Sequence, residues 1–405
     1  MPLKQKVSTS KDIEVADVDR ALKYINTKWD DLLRFFPEDR DTLIGLPYPY
    51  IIPSTENDSG FAFEEMYYWD SYFTAQGLIK SGRTELAEGM LDDLIYLADR
   101  FGSVPNGNRY YLTGRSQPPF LTSYILDIYQ IKKDNKWLKK VSEVAKDEYE
   151  KVWTNESHPN WRNVFHGLSR YYDINVIDQL AEAESGWDMT TRFNDECLSY
   201  IPIDLNCLLY KYEMDFAKIA ELLGDETEAE VWKMRAKNRA AKVTYYLWDA
   251  EKGFFFDYNY QKDELSDVWS LASYYALWSG LASDEQADRL VDNLDKFMQR
   301  GGLSATSEEF GSLHDNYQWA YPNGWAPLHW IVVNGLDRYG HKVMAKNIAK
   351  KWLTTNINYF NKYEIFRESY NVVEPMDQPK EGLYPPQEGF GWTNAVFLYF
   401  AKKYL

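Results

Sequence analysis

Carboxylic acids and aromatic rings alternate in the stretch GFAFEEMYYWDSYF, which covers residues 60–73. Its acids are Glu64, Glu65 and Asp70, and an apolar core would not accept them because burial of unpaired charge is costly. A solvated surface would accept the acids but would gain little from the rings. A sugar pocket needs both, since hydroxyl groups require polar partners and the cleavage of a glycosidic bond requires two carboxyl groups. The stretch therefore predicts one wall of a carbohydrate site.

Two further segments carry groups suited to the same chemistry. The loop SVPNGNRYYLTGRSQPPF (103–120) is rich in hydrogen-bonding side chains, and prolines stiffen its ends. In AEAESGWDMTTRF (181–193), Asp188 follows a tryptophan, and a carboxyl group in a partly dry setting can act as an acid near neutral pH. Taken alone, each segment has an ordinary interpretation, namely a structural loop and an N-cap, and the pattern around Asp188 by itself favours the cap.

The C-terminal third of the chain adds rings and more acids. DNYQWAYPNGWAPLHW (315–330) is an aromatic turn that leads into a helix, and its rings could stack on a sugar or belong to the core. His329 in this helix fits a core histidine better than a ligand. The segments 363–375 and 384–396 contain several possible general bases, between which spacing does not choose: Glu364, Glu368, Glu374 and Glu388.

Composition narrows the class of protein. The chain has 405 residues and a net charge of −17, and this acidity argues against binding to nucleic acid or to an anionic membrane. Two cysteines are too few for a disulfide framework, and neither a CxxC nor an HExxH motif occurs, so we expect no metal site and no cofactor. The sequence shows no apolar signal segment and no run of 18 apolar residues, which predicts a cytoplasmic protein.

Helical periodicity dominates the elements that must position these groups. Apolar residues recur three or four positions apart in 84–101, 284–298 and 341–353, and Gly102 follows the first of these helices as a C-cap. The best strand signal is GFFFDYN at 253–259. Roughly twelve helices in antiparallel pairs fit either a stacked solenoid or a closed toroid, and the absence of a repeat favours the toroid. We therefore expect one all-α domain whose long loops form a cleft at one end; these loops are 103–119, 155–186, 300–325 and 375–391.

Five segments together resemble the trehalases of glycoside hydrolase family 37, in family order from about residue 46 to 400. FEEMYYWDSYF and QWAYPNGWAPLHW are similar to the two family signatures, and PNGNRYYLTGRSQPPF is similar to the segment between them. SGWDMTTRF resembles the stretch of the general acid, which implies that role for Asp188. RESYNV, followed by QEGFGWTN, resembles the stretch of the general base, which implies Glu368.

The resemblance also implies a fold and a set of substrate contacts. The fold would be an (α/α)6 barrel over residues 1–405, with residues 1–45 as an N-terminal helical extension, and the reaction would invert the anomeric carbon without a metal. Arg115 could also pair with a catalytic carboxylate and lower its pKa. The expected contacts with a small carbohydrate substrate are Phe63, Tyr67, Trp69, Asp70, Asn106, Arg115, Gln117, Trp187, Trp325 and Glu388.

Several departures from the family pattern concern groups that hold the sugars. Residues 60–62 read Gly-Phe-Ala where the family has Gly-Gly-Arg before its Phe, and Ala320 stands where Asp is usual. Only residues 174–184 separate YYD from SGWD, so an Arg-Pro-Glu contact is not visible, and Leu383 replaces a lid Glu. Hydrolysis is therefore better supported than trehalose as the substrate.

Three functions remain open on the sequence. The first is a trehalase, and the second is an inverting hydrolase of another small α-glucoside such as glucosylglycerate or kojibiose. The third is a sugar-binding protein that has lost catalysis. Retention of both Asp188 and Glu368 speaks against the third, because binding alone needs no acid and base pair.

Overall fold

The computed structural model of the chain describes residues 13–55, 63–311, 316–382 and 384–405. Helices dominate these residues, as the periodicity predicts. In chain order they are α1 (Val15–Leu32), α2 (Tyr68–Lys80), α3 (Thr84–Phe101), α4 (Leu121–Lys132), α5 (Asn135–Glu148), α6 (Asp178–Glu184), α7 (Ile203–Leu223), α8 (Glu226–Leu247), α9 (Tyr275–Ser279), α10 (Asp284–Asp292), α11 (Ala326–Arg338), α12 (Lys342–Tyr363) and α13 (Gly391–Tyr404).

Short antiparallel strands lie in the connections between helices. They pair as β1–β2, β3–β4, β5–β8–β9, β6–β7 and β10–β11, so the strand predicted at 253–259 is divided between two sheets. Their bounds are β1 (Leu33–Arg34), β2 (Tyr50–Ile51), β3 (Asn163–Phe165), β4 (Leu168–Ser169), β5 (Tyr200–Ile201), β6 (Trp248–Asp249), β7 (Phe254–Phe255), β8 (Tyr258–Asn259), β9 (Glu264–Leu265), β10 (Asn323–Trp325) and β11 (Ser369–Asn371).

The helix limits agree with the sequence in one case and differ in two. The predicted helix 84–101 is α3, and Gly102 caps it in the left-handed region with φ of 74°. The predicted helix 284–298 is too long, because α10 ends at Asp292 and only a 3-10 turn follows. The predicted helix 341–353 is too short, because α12 continues to Tyr363.

The helices pack in chain order. Helix α4 packs on α7, α7 on α9, α9 on α11, and α11 on α13. The last helix, α13, packs on α2, where the approach is so close that a Cβ atom at Gly77 would lie 2.5 Å from the Cα atom of Ala395. Only a glycine permits this approach, and it brings the early and late parts of the chain together.

Aromatic rings fill the space between these helices. Tyr72 of α2 stacks on Phe120 with ring centroids 4.7 Å apart, and its edge meets Trp330 of α11 at 5.4 Å. Phe73 contacts Phe120 and Trp330 at 5.1 and 5.7 Å. Two rings of the stretch 60–73 therefore belong to the core, where such pairs add to the hydrophobic stabilisation.

Helix α1 lies within the predicted N-terminal extension and packs on α12 and α13 through a buried stripe that includes Ile25 and Trp29. Among the described residues, none of the helices combines the length and apolar composition needed to cross a membrane. Within the same ranges, no group of three or more His, Cys, Asp or Glu side chains is arranged to hold a metal ion.

Candidate active site

Three carboxyl groups from distant parts of the chain meet at one place. Asp70 lies in the first turn of α2, Asp188 lies in the turn after α6, and Glu368 immediately precedes β11. The charges of Asp70 and Asp188 raise the pKa of Glu368 in addition to the larger effect of burial, and Asp188 likewise raises the pKa of Asp70. The structure thus brings together the residues predicted as acid and base, with Asp70 beside them.

Asp188 lies in a tight turn and does not cap a helix, so the interpretation of this residue as an N-cap was wrong. The cap of the following 3-10 turn is Thr190, whose side chain accepts a hydrogen bond from the backbone N–H of Arg192. Gly186 and Met189, on either side of Asp188, have φ of 71° and 59°. A methionine in the left-handed region is strained, and such strain is found where a side chain must point in a fixed direction.

The Asp188 carboxyl group is half-buried and has a perturbed pKa. Burial raises its pKa to about 6, and the positive charge of Arg115 opposes this effect. Arg115 is itself held by Asp173, whose Oδ2 atom lies 3.2 Å from the guanidinium Nη1 atom. The predicted pairing of Arg115 with a carboxylate is therefore with Asp173, and its charge also acts on Asp188.

Glu368 is buried, and hydrogen bonds hold both its carboxyl group and its backbone carbonyl. Its Oε1 atom accepts a hydrogen bond from the Tyr384 hydroxyl at 2.7 Å, and its Oε2 atom lies 3.4 Å from the backbone N–H of Gln387. Its backbone carbonyl accepts bonds from Trp392 at 3.1 Å and Thr393 at 3.2 Å. Burial raises the pKa of Glu368 to about 8, although the Tyr384 hydroxyl lowers it.

Asp70 is half-buried near the other two carboxyl groups. Burial raises its pKa to about 8, the backbone N–H of the same residue lowers it, and the charge of Asp188 raises it further. Tyr67 directly precedes α2, and burial raises the pKa of its hydroxyl. The negative charges of Asp70 and Asp188 raise this pKa further. Phe63 completes this wall, with its ring edge-on to Tyr67 at 5.7 Å and to Tyr384 at 5.8 Å.

The other acids of the opening stretch have structural partners. Glu65 is buried and forms an ion pair with Arg109, while Glu64 pairs with Arg40 at 3.3 Å near the surface. The stretch EEMYYWD therefore contributes Asp70 to the carboxyl cluster. Its two glutamates form ion pairs with arginines of other segments.

The side chains of Asn106 and Gln117, which we expected to bind sugar hydroxyls, form hydrogen bonds with the backbone. The side-chain amide of Asn106 donates to the carbonyls of Ser116 and Ala183 at 3.0 and 3.3 Å. The side-chain oxygen of Gln117 accepts a hydrogen bond from the backbone N–H of Trp69 at 3.1 Å. Both hydrogen atoms of the Asn106 amide are used, so the residue positions the loop that carries Arg115.

The three tryptophans predicted to stack on a sugar are buried, so this prediction is corrected. Trp69 is 1% exposed, and Trp187 and Trp325 are fully buried. All three rings pack around Trp319, with centroid distances of 5.6, 5.5 and 3.8 Å respectively. Rings buried to this extent present no exposed face to a sugar, and Trp69 and Trp187 directly precede Asp70 and Asp188 in the chain.

The remaining candidate bases lie outside the cluster. The backbone of Glu388 forms an isolated antiparallel bridge with that of Arg367, and its side chain accepts a hydrogen bond from Tyr359 of α12 at 3.1 Å. Its contact with substrate stays a prediction. Glu364 caps the C-terminus of α12, and Glu374 is exposed and pairs with Arg300 at 3.2 Å. Of the four candidates, Glu368 alone joins Asp70 and Asp188 among the described residues.

Two residues of the site have no role in the sequence analysis. Tyr384 directly follows Leu383, the residue that stands where the family has a lid Glu. The Tyr-Pro-Pro sequence that begins at Tyr384 was the signal that could have pointed to this residue. Glu182 of α6 is buried and accepts a hydrogen bond from the backbone N–H of Thr190 at 2.7 Å, which fixes the end of the Asp188 turn. Residues 60–62 and Leu383, where the sequence departs from the family pattern, lie outside the described residues.

Comparison with known proteins identifies the family of this chain. A family model described as trehalase matches residues 3–182 and 178–405. The structure is similar to that of neutral trehalase Nth1 from Saccharomyces cerevisiae, with a TM-score of 0.83 and 27% identity over 95% of this chain and 94% of that chain. It shares its fold with the GH63 mannosylglycerate hydrolase from Thermus thermophilus solved in complex with glucose, with a TM-score of 0.72 and 16% identity over 94% of this chain and 99% of that chain. With both its sequence and its fold matched along nearly their whole length, the chain belongs to the trehalase family.

Proposed function

We propose that this chain is an inverting glycoside hydrolase that cleaves a small α-glucoside, with α,α-trehalose as the best single candidate. The observation that carries the proposal is the meeting of Asp188 and Glu368 beside Asp70, although the three come from separate segments. Family membership supports the class of reaction. The similarity to a neutral trehalase over nearly the whole chain supports the substrate.

In the proposed mechanism, Asp188 is the general acid and Glu368 is the general base. The carboxylate of Glu368 takes a proton from a water molecule, whose oxygen forms a bond to the anomeric carbon. The bond between this carbon and the glycosidic oxygen breaks, and the departing oxygen receives the proton of Asp188. Inversion requires roughly 6.5–9.5 Å between the two carboxyl groups, which leaves room for the water.

The protonation of the pair follows from its pKa values. The active form needs the proton on Asp188, whose pKa is about 6, and a charge on Glu368, whose pKa is about 8. Between about pH 6 and pH 8, the two carboxyl groups together hold a single proton. In part of the population this proton is on Asp188 and Glu368 is ionised. We therefore expect a bell-shaped pH profile of kcat/KM with limbs near pH 6 and pH 8.

We also infer that the helices close into the predicted (α/α)6 barrel. Support comes from the succession of contacts α4–α7–α9–α11–α13–α2 and from the stacking of Tyr72 in α2 on Phe120, which precedes α4. In such a barrel, Asp70, Asp188 and Glu368 would lie at the end where the long loops meet. Substrate contacts would come from Asp70, Arg115, Tyr67 and Phe63.

The second candidate is hydrolysis of another small α-glucoside, such as glucosylglycerate or kojibiose. Its support is the departure from the family pattern at residues 60–62, Ala320 and Leu383, which changes groups that hold the sugars. The structural neighbour named a mannosylglycerate hydrolase is compatible with it. A cytoplasmic location and a single domain stay predictions from the sequence.

Release of glucose from a panel of substrates tests the proposal. The panel contains trehalose, kojibiose, maltose, isomaltose, sucrose and glucosylglycerate, and the Asp188→Asn variant is the blank because it keeps the shape of the side chain. Rapid release from trehalose alone supports a trehalase, and release from another member supports the second candidate. Glucose binding without release from any member would contradict catalysis and favour a sugar-binding protein.

The stereochemistry of the product tests inversion separately. For an α-glucoside, the sugar whose anomeric carbon is attacked is released as the β-anomer, which proton NMR detects before mutarotation. Initial release of the α-anomer alone would contradict the proposed roles of Asp188 and Glu368, because a retaining enzyme uses the second carboxylate as a nucleophile.

A further inference from the structure

Helix α8 carries a second stripe of evenly spaced residues on its outer face. Its inner face packs on α7 through buried residues that include Trp232, Val243 and Leu247. The outer stripe recurs at intervals of four and three residues, and all of its members are exposed: Thr227, Val231, Met234, Asn238, Ala241 and Tyr245. A helix at the surface of a domain needs only one such stripe, and alternation of four and three is the spacing by which two helices pair in a coiled coil.

The centre of this stripe is apolar. Val231 is 50% exposed and Met234 is 59% exposed, and both lie at the middle of the face. Asn238 follows at the next position of the same repeat. A single asparagine in such a seam specifies the alignment of the two helices at some cost in stability.

We infer that a second copy of this chain covers the outer face of α8, with the two α8 helices antiparallel across a two-fold axis. An axis midway between Val231 and Met234 places each of these residues level with the other in the second copy. The same axis places Thr227 level with Asn238 of the second copy. A single alignment therefore pairs Val231 with Met234 and Thr227 with Asn238. The contact is self-complementary, as a two-fold interface requires.

The charges on α8 select the antiparallel orientation. Among its exposed charged residues, the first half carries the acids Glu226 and Glu230, and the second half carries the bases Arg235, Lys237 and Lys242. Antiparallel pairing sets the acidic half of one copy against the basic half of the other, whereas parallel pairing would oppose like charges.

One ion pair across the axis is specific to this alignment. Glu230 and Lys237 occupy the same flank of the seam, and the two-fold axis sets that flank against itself. Lys237 of the second copy then lies two residues, or about 3 Å along the axis, from the level of Glu230. Within one copy Glu230 pairs with Lys233 at 2.9 Å, and exposed pairs of this kind contribute little.

The association we expect is weak. The seam from Thr227 to Asn238 spans roughly 18 Å of helix, which is short for a stable interface. We therefore expect a dimer with a dissociation constant in the micromolar range.

Sedimentation velocity of the full chain at about 1–100 µM tests the inference. We expect a shift from monomer to dimer across this range. Val231→Glu and Met234→Glu should each weaken the dimer by at least about tenfold, because each buries a charge in the apolar centre. Val343→Glu is the matched control, since Val343 is 77% exposed on α12. A monomer at every concentration, or a dimer that both α8 variants leave intact, would overturn the inference.

A charge exchange tests the alignment. Glu230→Lys and Lys237→Glu should each weaken the dimer, and the double variant should restore it. A Val231→Cys/Met234→Cys variant should form a disulfide between copies under oxidising conditions, and the native Cys197 and Cys207 do not interfere because both are buried. Failure of the double charge variant to restore the dimer, together with no cross-link, would reject the antiparallel α8 contact. Unchanged far-UV circular dichroism shows that each variant is folded.

Discussion

The Tyr384 hydroxyl donates a hydrogen bond of 2.7 Å to Oε1 of Glu368. The other oxygen of this carboxyl group lies 3.4 Å from the backbone N–H of Gln387, and the Glu368 N–H donates to the Gln387 carbonyl at 2.9 Å. Both ends of the carboxyl group are thus oriented by the segment that follows the replaced lid sequence. The proposed base depends on the conformation of that segment, and this dependence can be measured.

Replacement of Tyr384 by Phe should change the pH dependence of the reaction. Burial raises the pKa of Glu368 to about 8 and the Tyr384 hydroxyl lowers it, so without this hydroxyl the carboxyl group should bind its proton more tightly. The alkaline limb of the kcat/KM profile should move up by about one pH unit. The maximal rate should fall about tenfold, because less enzyme has Glu368 ionised.

Tyr359→Phe is the matched control for this experiment. The Tyr359 hydroxyl makes the same kind of bond, at 3.1 Å, to Glu388 outside the cluster. Its loss should leave the pH profile in place. If Tyr384→Phe also left both limbs unchanged, Tyr384 would have no part in setting the protonation of the base.

Replacement of Glu368 by Gln should abolish most turnover. The amide keeps the size of the side chain but takes no proton from water, so kcat should fall by about 10²–10⁴ while the melting temperature changes little. Glu374→Gln is the control, since Glu374 is exposed and pairs only with Arg300 among the described residues. Wild-type activity in the Glu368 variant with a loss in the Glu374 variant would move the base to Glu374.

The sequence was sufficient to predict the elements that depend on local pattern. The limits of α3 follow from its apolar spacing and from Gly102, which caps it. The proposed roles of Asp188 and Glu368 rest on motifs that resemble those of a known family, and they stay predictions. The extension of α12 could not be predicted, because Leu353, Ile357 and Phe360 are buried against other helices and this packing outweighs a run of poor helix formers.

The environment of the rings depends on contacts between distant segments. Trp69, Trp187 and Trp325 meet Trp319 in the fold, and no local pattern separates a ring in such a cluster from a ring that faces a ligand. The N-cap at Thr190 was missed for a related reason. Asp and Thr both serve as caps, and the left-handed Met189 decides which of them meets the free N–H groups.

Two replacements of Arg115 should distinguish its effect on substrate binding from its effect on the pKa of Asp188. Arg115→Lys keeps the charge but loses the planar fork that bonds Asp173 at 3.2 Å, so KM should rise about tenfold with the pH limbs unchanged. Arg115→Met also removes the charge that opposes the effect of burial on Asp188, so the pKa of Asp188 should rise above about 6. The acidic limb of kcat/KM should then move to higher pH in the Met variant alone. Identical limbs in the two variants would contradict the electrostatic contact with Asp188.

Asp93 of α3 provides a test of stability outside the site. It is fully buried, and its Oδ1 atom accepts a hydrogen bond from the Tyr48 N–H at 2.9 Å. Its Oδ2 atom has no hydrogen-bond partner among the described residues, and burial raises the pKa of Asp93 to about 8. Because the pKa in the folded state lies above the unfolded value, the folded state binds the proton more tightly. The contribution of Asp93 to stability is therefore largest below about pH 4 and is lost as the pH rises to about 8.

Asp93→Asn should remove this dependence, because the amide keeps the acceptor for Tyr48 and carries no charge at any pH. The free energy of unfolding of the variant, relative to the parent, should increase by a few kcal/mol between pH 5 and pH 9. Urea unfolding at pH 5, 7 and 9 measures this difference. Asp99→Asn, on the exposed side of the same helix, should change stability by less than about 0.5 kcal/mol throughout. A difference between parent and Asp93→Asn that stays constant from pH 5 to pH 9 would mean that Asp93 is not held protonated in the fold.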